Sequence, residues 1–150
     1  MNIPPREFNR DDYIVSTDSS LLDLPRIHEY LTEEAYWSRG IAFETFQKSV
    51  ENSLCFGLYH QEMQIGFARV ISDFATFAYL ADVFVIEEFR GRGLGKWLIK
   101  CVISHPEIQE LRRWMLITSD AHGLYQHYGF KTLGHPESFM EASGKDLATD

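Results

Sequence analysis

Three glycines, spaced two residues apart, interrupt the apolar pattern of the chain and suit the binding of phosphate. Gly91, Gly93 and Gly95 follow the apolar run Val83–Ile86, and a new apolar-periodic stretch begins at Leu94. Glycine lets the backbone approach a ligand closely, and the first amides of a helix point outward at the positive end of its dipole. A strand, a glycine-rich turn and a helix start therefore predict an anion cradle, with phosphate as the best-suited anion.

Two other phosphate-binding loops do not fit these residues. A dinucleotide fingerprint requires G-x-G-x-x-G, whereas Lys96 and Trp97 follow Gly95 and leave that spacing incomplete. A Walker loop requires Lys followed by Ser or Thr, and Lys96 is followed by Trp97. The alternative is a turn without a ligand. It is disfavoured because a plain turn needs one glycine with positive φ and this stretch has three.

Asp82 and His122 are the residues whose types could accept a proton. Asp82 stands inside an apolar strand, where a carboxylate costs free energy unless it is paired. It therefore needs a reason, and the structural one is pairing with an arginine or capping a loop. His122 opens a predicted short helix, and histidine titrates near neutral pH, so His122 is a second candidate base.

The histidines and cysteines do not predict a metal site. His122 and His127 are five residues apart, which is not the i, i+4 spacing of a helical metal pair, and no third ligand is evident. We therefore predict no metal. Cys55 and Cys101 lack metal spacing and a local redox motif, so we expect buried thiols in a reducing compartment, although the sequence leaves a disulfide open.

The elements that position these residues follow from apolar periodicity. A loose lead-in over residues 1–12 is predicted to precede a first strand at Tyr13–Thr17 and a helix from about Asp23 to Thr32. The remaining predictions are a helix over residues 43–54, strands at 54–60, 64–72 and 75–86, a helix ended by Pro106, a strand at 113–117, a short helix from residue 120 or 121, and a final strand.

Two segments of the chain resemble motifs of the GNAT superfamily of N-acetyltransferases. The first is R-x-x-G-x-G, here Arg90-Gly91-Arg92-Gly93-Leu94-Gly95, which is similar to the acetyl-CoA-binding motif. The second is Ala121–Phe130, a helix with a tyrosine four residues before Gly-Phe. The element order over residues 13–134 is also similar. The resemblance implies an α/β fold of the α+β type, with a mixed, mostly antiparallel central sheet flanked by helices, in a single domain over residues 1–150.

The resemblance implies that acetyl-CoA is the acetyl donor, lying along the strand before the loop with its pyrophosphate on the loop amides. Glu87 stands where the family often has proline, which the turn does not require. Ser119 precedes Asp120 where the family commonly has asparagine, and Ser119 is expected to replace that contact. The implied coenzyme-binding residues are Val83, Phe84, Val85, Arg90, Gly91, Arg92, Gly93, Leu94, Gly95, Lys96 and Ser119.

The resemblance also implies catalytic roles. Tyr125 stands at the family position of the acid that protonates the departing thiolate, although its type and spacing alone favour a packing tyrosine. Asp82 lies on a strand where the family often places a basic carboxylate, so Asp82 and His122 are the candidate bases. Tyr36 and Trp37 are candidates for the acceptor wall or for core packing. Because neither cysteine has a histidine adjacent in sequence, we expect direct transfer in a ternary complex.

The charge balance bears on the partners. The chain has 14 basic and 22 acidic residues, a net charge of −8, which disfavours nucleic acid and anionic membranes and favours a small cationic amine as acceptor. No apolar stretch is long enough to span a bilayer and the first residues lack a signal core, so a cytoplasmic location is expected. A non-catalytic acetyl-CoA or CoA sensor is the alternative to an enzyme, and the resemblance is compatible with a homodimer.

Overall fold

The computed structural model describes residues 2–35 and 38–148. The chain divides into two compact units, Met1–Ile117 and Thr118–Asp150. The first unit contains one six-stranded sheet whose neighbouring strands are antiparallel except for the last pair, which is parallel. In chain order and sheet order, the strands are β1 (Glu7–Arg10), β2 (Tyr13–Ser16), β3 (Leu54–His60), β4 (Met63–Ser72), β5 (Phe77–Val85) and β6 (Arg113–Met115).

Three helices of the first unit pack on this sheet: α1 (Leu24–Glu33), α2 (Phe43–Glu51) and α3 (Leu94–Ile103). Helix α1 begins where Asp23 accepts a hydrogen bond from the Arg26 amide, with a proline in the first turn. The predicted mixed, mostly antiparallel sheet flanked by helices is therefore confirmed, and the observed β3 coincides with its predicted bounds.

Apolar side chains cover both faces of the sheet. One face carries a buried cluster contributed by α1, α2 and strands β3 to β5, which contains Ile27, Leu31, Ala35, Phe46, Val50, Cys55, Phe67 and Phe84. Successive strand residues point to opposite faces, so Phe56 faces away from this cluster, and its ring meets His105, just after α3. The sheet is thus the middle layer between α1 and α2 on one side and α3 on the other.

Two element predictions were wrong. Residues 7–10 form strand β1, paired with β2, and not a loose lead-in. This strand is at the sheet edge with three of its four residues exposed, so it lacks the apolar alternation that marks a buried strand. The expected final strand is absent from the described residues 127–148, which instead form two short 3-10 turns, Pro136–Ser138 and Gly144–Asp146.

The second unit contains the short helix α4 (His122–Gln126), as predicted from the sequence. Thr118 Oγ1 accepts a hydrogen bond from the Ala121 amide at 3.0 Å and fixes the turn before the helix. Gly129 has a φ of 98°, and the Phe130 amide then turns back to the carbonyl of Tyr125 at 3.1 Å, which ends the helix. Among the residues that the structure describes in either unit, no helix has the length and apolarity to cross a membrane.

Candidate active site

The glycine loop joins β5 to α3 in a conformation that its glycines permit. Gly91 has a φ of 80° and Gly93 a φ of 76°, values that residues with side chains rarely adopt. Gly95 lies within α3, and a Cβ built on it would meet no protein atom within 4 Å. Outside the backbone of α3 itself, the space beside Gly95 is therefore open.

The start of α3 fits an anion. No side chain of the described residues caps this helix, whose N-cap is Gly93 in the left-handed conformation. Leu94, the first helical residue, is 2% exposed and anchors the helix end in the core, whereas the N-cap Gly93 before it is exposed. The first amides of the helix consequently face outward with the positive end of the helix dipole, as an anion cradle requires.

The two arginines of the loop point in different directions. Arg92 donates to the Tyr13 hydroxyl at 3.1 Å and lies over the Phe89 ring, 4.9 Å from its centroid. Arg90 donates from Nε to the Val85 carbonyl at 2.9 Å and from Nη2 to the Tyr30 hydroxyl at 2.8 Å. The Arg90 guanidinium is therefore bound to α1 and to the end of β5.

Strand β5 extends past the strand beside it. The β5–β6 pairing runs from Phe77 with Arg113 to Tyr79 with Met115, where β6 ends, while β5 continues to Val85. Within the described part of the chain, no strand covers this edge of β5 after Tyr79. The edge contains the predicted coenzyme residues Val83, Phe84 and Val85, and it can accept an extended ligand as an added strand.

A bulge lies in the middle of the same strand. Phe67 pairs with Phe84 and Arg69 with Ala81, so Asp82 and Val83 together stand opposite a single residue of β4. Asp82 has a φ of 55°, an uncommon value that aspartate tolerates better than most residues.

The bulge carries an ion pair. Asp82 Oδ2 accepts a hydrogen bond from Arg69 Nε at 2.8 Å, and Arg69 also donates to the Ser53 hydroxyl at 3.1 Å. The side chains of Arg69 and Asp82 are 14% and 11% exposed. Asp82 is thus paired with an arginine, as the structural alternative predicted. Its role as a base stays a prediction.

A pocket of about 310 Å³ lies between α1 and the end of β5. The Tyr30 and Phe84 rings stack in it with centroids 3.9 Å apart and planes inclined by 14°. Five carboxylates and two guanidinium groups are among the side chains that line it, namely Glu29, Glu33, Glu34, Glu87 and Glu88, with Arg26 and Arg90. We name this space the acidic pocket.

Three predicted site residues lie in the second unit. Ser119 precedes α4 and is exposed, and His122 is the exposed first residue of the helix. Tyr125 is 8% exposed, and its ring meets that of Phe130 edge-on with centroids 5.9 Å apart. Tyr36 and Trp37, the predicted acceptor wall, lie outside the described residues.

Both thiols are buried and reduced. Burial raises the pKa of Cys55 to about 12 and that of Cys101 to about 12, so each is a neutral thiol at physiological pH. Among the described residues, no group of three or more His, Cys, Asp or Glu side chains is arranged to hold a metal ion.

Neither the acidic pocket nor the residue that pairs with Asp82 was predicted from the sequence. The sequence does contain one indication of the pocket. Four of its lining residues recur at helical spacing and form a second stripe on α1, namely Arg26, Glu29, Tyr30 and Glu33. No comparable signal links Arg69 to Asp82, since the two residues are brought together across the β4–β5 pairing at an irregular register.

Comparison with known proteins gives one consistent result. The family model for the acetyltransferase (GNAT) domain matches residues 51–132. A candidate acetyltransferase from Gibberella zeae is 34% identical over 143 residues, covering 81% of this chain and 80% of the relative.

Solved structures are similar over most of the chain. The crystal structure of a candidate GNAT acetyltransferase from Xanthomonas campestris pv. campestris is 50% identical with a TM-score of 0.87, covering 90% of this chain and 95% of that chain. A GNAT family acetyltransferase from Elizabethkingia anophelis, crystallised with acetyl-CoA bound, has a TM-score of 0.61 at 17% identity and covers 81% of this chain and 78% of that chain. At this identity, the similarity to the Elizabethkingia anophelis protein shows a shared fold only.

Proposed function

Because the chain belongs to the GNAT family and is therefore an acetyl-CoA-dependent acyltransferase, we propose that it acetylates the primary amine of a small cationic molecule by direct attack in a ternary complex. When bound, acetyl-CoA supplies the acetyl group as a thioester. The acidic pocket is the observation that carries the choice of acceptor. It shares Phe84 and Arg90 with the predicted coenzyme residues, so an amine held there would be next to the proposed donor.

The acidic pocket suits a small cation in charge, size and lining. Its five carboxylates outnumber its two guanidinium groups, so its field attracts a positively charged amine. Its volume of about 310 Å³ is at the small end of ligand sites. The stacked Tyr30 and Phe84 rings offer an aromatic surface to the apolar stem or the charge of such a molecule.

The attacking amine must lose a proton, and Asp82 and His122 are the proposed acceptors of it. Asp82 lies on β5, two residues before Phe84, and the ion pair with Arg69 orients its carboxylate. It would take the proton directly or through water. His122 is proposed as the alternative base, from the resemblance of its segment.

The departing thiolate needs a proton, and Tyr125 is proposed to donate it. This role rests on the resemblance of Ala121–Phe130 to the family motif. We also propose that the two compact units belong to one acetyltransferase domain, because the family match over residues 51–132 runs across the boundary after Ile117.

Direct transfer is favoured over a covalent acetyl-enzyme because both thiols are poor nucleophiles. With a pKa of about 12, Cys55 and Cys101 have almost no thiolate near neutral pH. Initial rates should give intersecting lines when both substrates are varied, and folded Cys55→Ala and Cys101→Ala variants should keep turnover. Parallel lines, or loss of turnover in a folded variant, would reject the direct route.

The acceptor is tested by a screen for free thiol release from acetyl-CoA with diamines, polyamines, amino acids, aminoglycosides and peptides. Small cationic amines should be the best acceptors. For the best of them, Glu33→Gln in the acidic pocket should raise KM about fivefold and leave the KM of acetyl-CoA unchanged. Glu44→Gln, an exposed residue of α2 outside the pocket, is the control. A neutral or anionic best acceptor would reject the proposed class.

A further inference from the structure

We propose that Arg10 of strand β1 binds a phosphate of the coenzyme. The inference rests on the proposed coenzyme loop, and it adds a residue from a segment that the sequence predicted to be a loose lead-in. The proposed contact is with the phosphate-bearing end of the coenzyme, and it does not depend on which acceptor is acetylated.

Arg10 lies against the start of α3. Its Nη1 donates to the Gly93 carbonyl at 3.4 Å, which is a long hydrogen bond. A Cβ built on Gly93 would lie 3.8 Å from Nη1 and 3.7 Å from Nη2. The guanidinium therefore contacts the N-cap residue of the helix, and most of its five N–H donors are left for another partner.

Arg10 and Arg92 bring two positive charges to the start of α3, where the only carboxylate with a recorded interaction with either arginine among the described residues is Asp12, beside Arg92. A cation at a helix N-terminus faces the positive end of the helix dipole. Among the residues that the structure describes, no carboxylate forms an ion pair with Arg10; the neighbouring Asp12 pairs with His60 at 2.8 Å. Arg92 adds a second guanidinium from the loop itself. A phosphate group would neutralise both the arginines and the helix end.

Strand pairing fixes the position of Arg10. Arg10 is opposite Tyr13 in the β1–β2 hairpin, and the Tyr13 hydroxyl accepts a hydrogen bond from Arg92 at 3.1 Å. The Tyr13 ring also meets Phe89 edge-on, with centroids 6.4 Å apart. The hairpin and the glycine loop are thus joined by several contacts, and Arg10 is held beside the loop by its backbone as well as by its side chain.

The test compares Arg10→Ala with the unaltered chain by calorimetric titration with CoA and with dephospho-CoA. Acetyl-pantetheine, which has neither the pyrophosphate nor the 3′-phosphate, serves as donor in a parallel measurement of kcat/KM. Arg10→Ala should weaken CoA binding about tenfold and leave acetyl-pantetheine turnover unchanged. Arg6→Ala is the matched control, because it removes the same charge from residues before β1 and lies outside the loop contacts.

The outcomes separate the two phosphate sources. If Arg10→Ala loses affinity for CoA and not for dephospho-CoA, the result supports contact with the 3′-phosphate. If it loses affinity equally for both ligands, the result supports contact with the pyrophosphate. Unchanged CoA affinity, or an equal loss of acetyl-pantetheine turnover, overturns the role of Arg10. If the unaltered chain bound no CoA, the proposed coenzyme loop would be overturned together with this inference.

Discussion

Arg69 Nε lies 2.8 Å from Asp82 Oδ2, and this ion pair is located at the bulge of β5. The pair is compatible with both the structural role and the catalytic role of Asp82, which the sequence alone leaves as alternatives. It gives a mostly buried carboxylate a partner, and it orients that carboxylate beside the strand edge where the donor is proposed to lie. Structural and catalytic roles of Asp82 are therefore compatible, and they can be separated by variants.

Asp82→Asn should lower turnover about 100-fold if the carboxylate accepts the amine proton. Asparagine tolerates the φ of 55° at this position, so the bulge should be retained. The free energy of unfolding should fall by about 2 kcal/mol, because Arg69 loses its charged partner. Turnover and denaturant unfolding are the two measurements.

Arg69→Gln is the control for Asp82→Asn, since it also breaks the ion pair but keeps the carboxylate. It should lower stability by a similar amount and lower activity less than Asp82→Asn does, because the carboxylate stays and loses only the partner that orients it. If both variants lost activity in proportion to their stability, Asp82 would have a structural role only.

Gly95→Ala should distinguish a ligand-binding loop from a plain turn. The added methyl meets no protein atom within 4 Å and replaces glycine in a helix, so stability should rise by up to about 1 kcal/mol. Affinity for acetyl-CoA should nevertheless fall about tenfold, because the methyl occupies the open side of the loop. Gly144→Ala, also without a neighbour within 4 Å and far from the loop in sequence, should leave the affinity unchanged. Unchanged affinity in Gly95→Ala would remove the loop from the coenzyme site.

Tyr125→Phe should lower turnover about 10-fold to 100-fold and leave coenzyme affinity nearly unchanged. The phenylalanine ring keeps the edge-on contact with Phe130 and lacks the hydroxyl that is proposed to protonate the thiolate. Steady-state kinetics and calorimetric titration report the two quantities. Tyr128→Phe, in the same unit, is the control. Full turnover in Tyr125→Phe would leave Tyr125 as a packing residue.

Much of the fold was predictable because local signals agree with the tertiary structure. The apolar run Leu54–His60 is buried on nearly its whole length, so its bounds were found without error. The start of α1 was also predictable, because Asp23 is its N-cap and Pro25 lies in its first turn. Strand β1 had no such signal, because an edge strand with three of its four residues exposed depends on its pairing with β2.

The site was predictable only where a single segment forms it. The glycine loop is local in sequence, and its φ angles explain its residues. The ion pair of Arg69 and Asp82 depends on a bulge, which shifts the alternation of side chains along β5 and cannot be placed by a period of two. Arg10 reaches Gly93 across 83 residues of sequence, so only the folded hairpin brings it to the loop.

His105 should make the stability of the fold fall with pH below about 6.5. Its side chain is 1% exposed, Nδ1 accepts a hydrogen bond from the Glu107 amide at 3.2 Å, and Nε2 is buried without a partner among the described residues. Burial, with a smaller effect from Arg6, lowers the pKa of His105 below its ordinary 6.5. Because the unfolded chain then binds the proton more readily, stability is fully present above pH 6.5 and is lost as the pH falls through the folded pKa.

In urea titrations, His105→Asn should flatten this dependence of stability on pH, and His135→Asn, at an exposed histidine, should not. Equal slopes in all three proteins would contradict the assignment to His105.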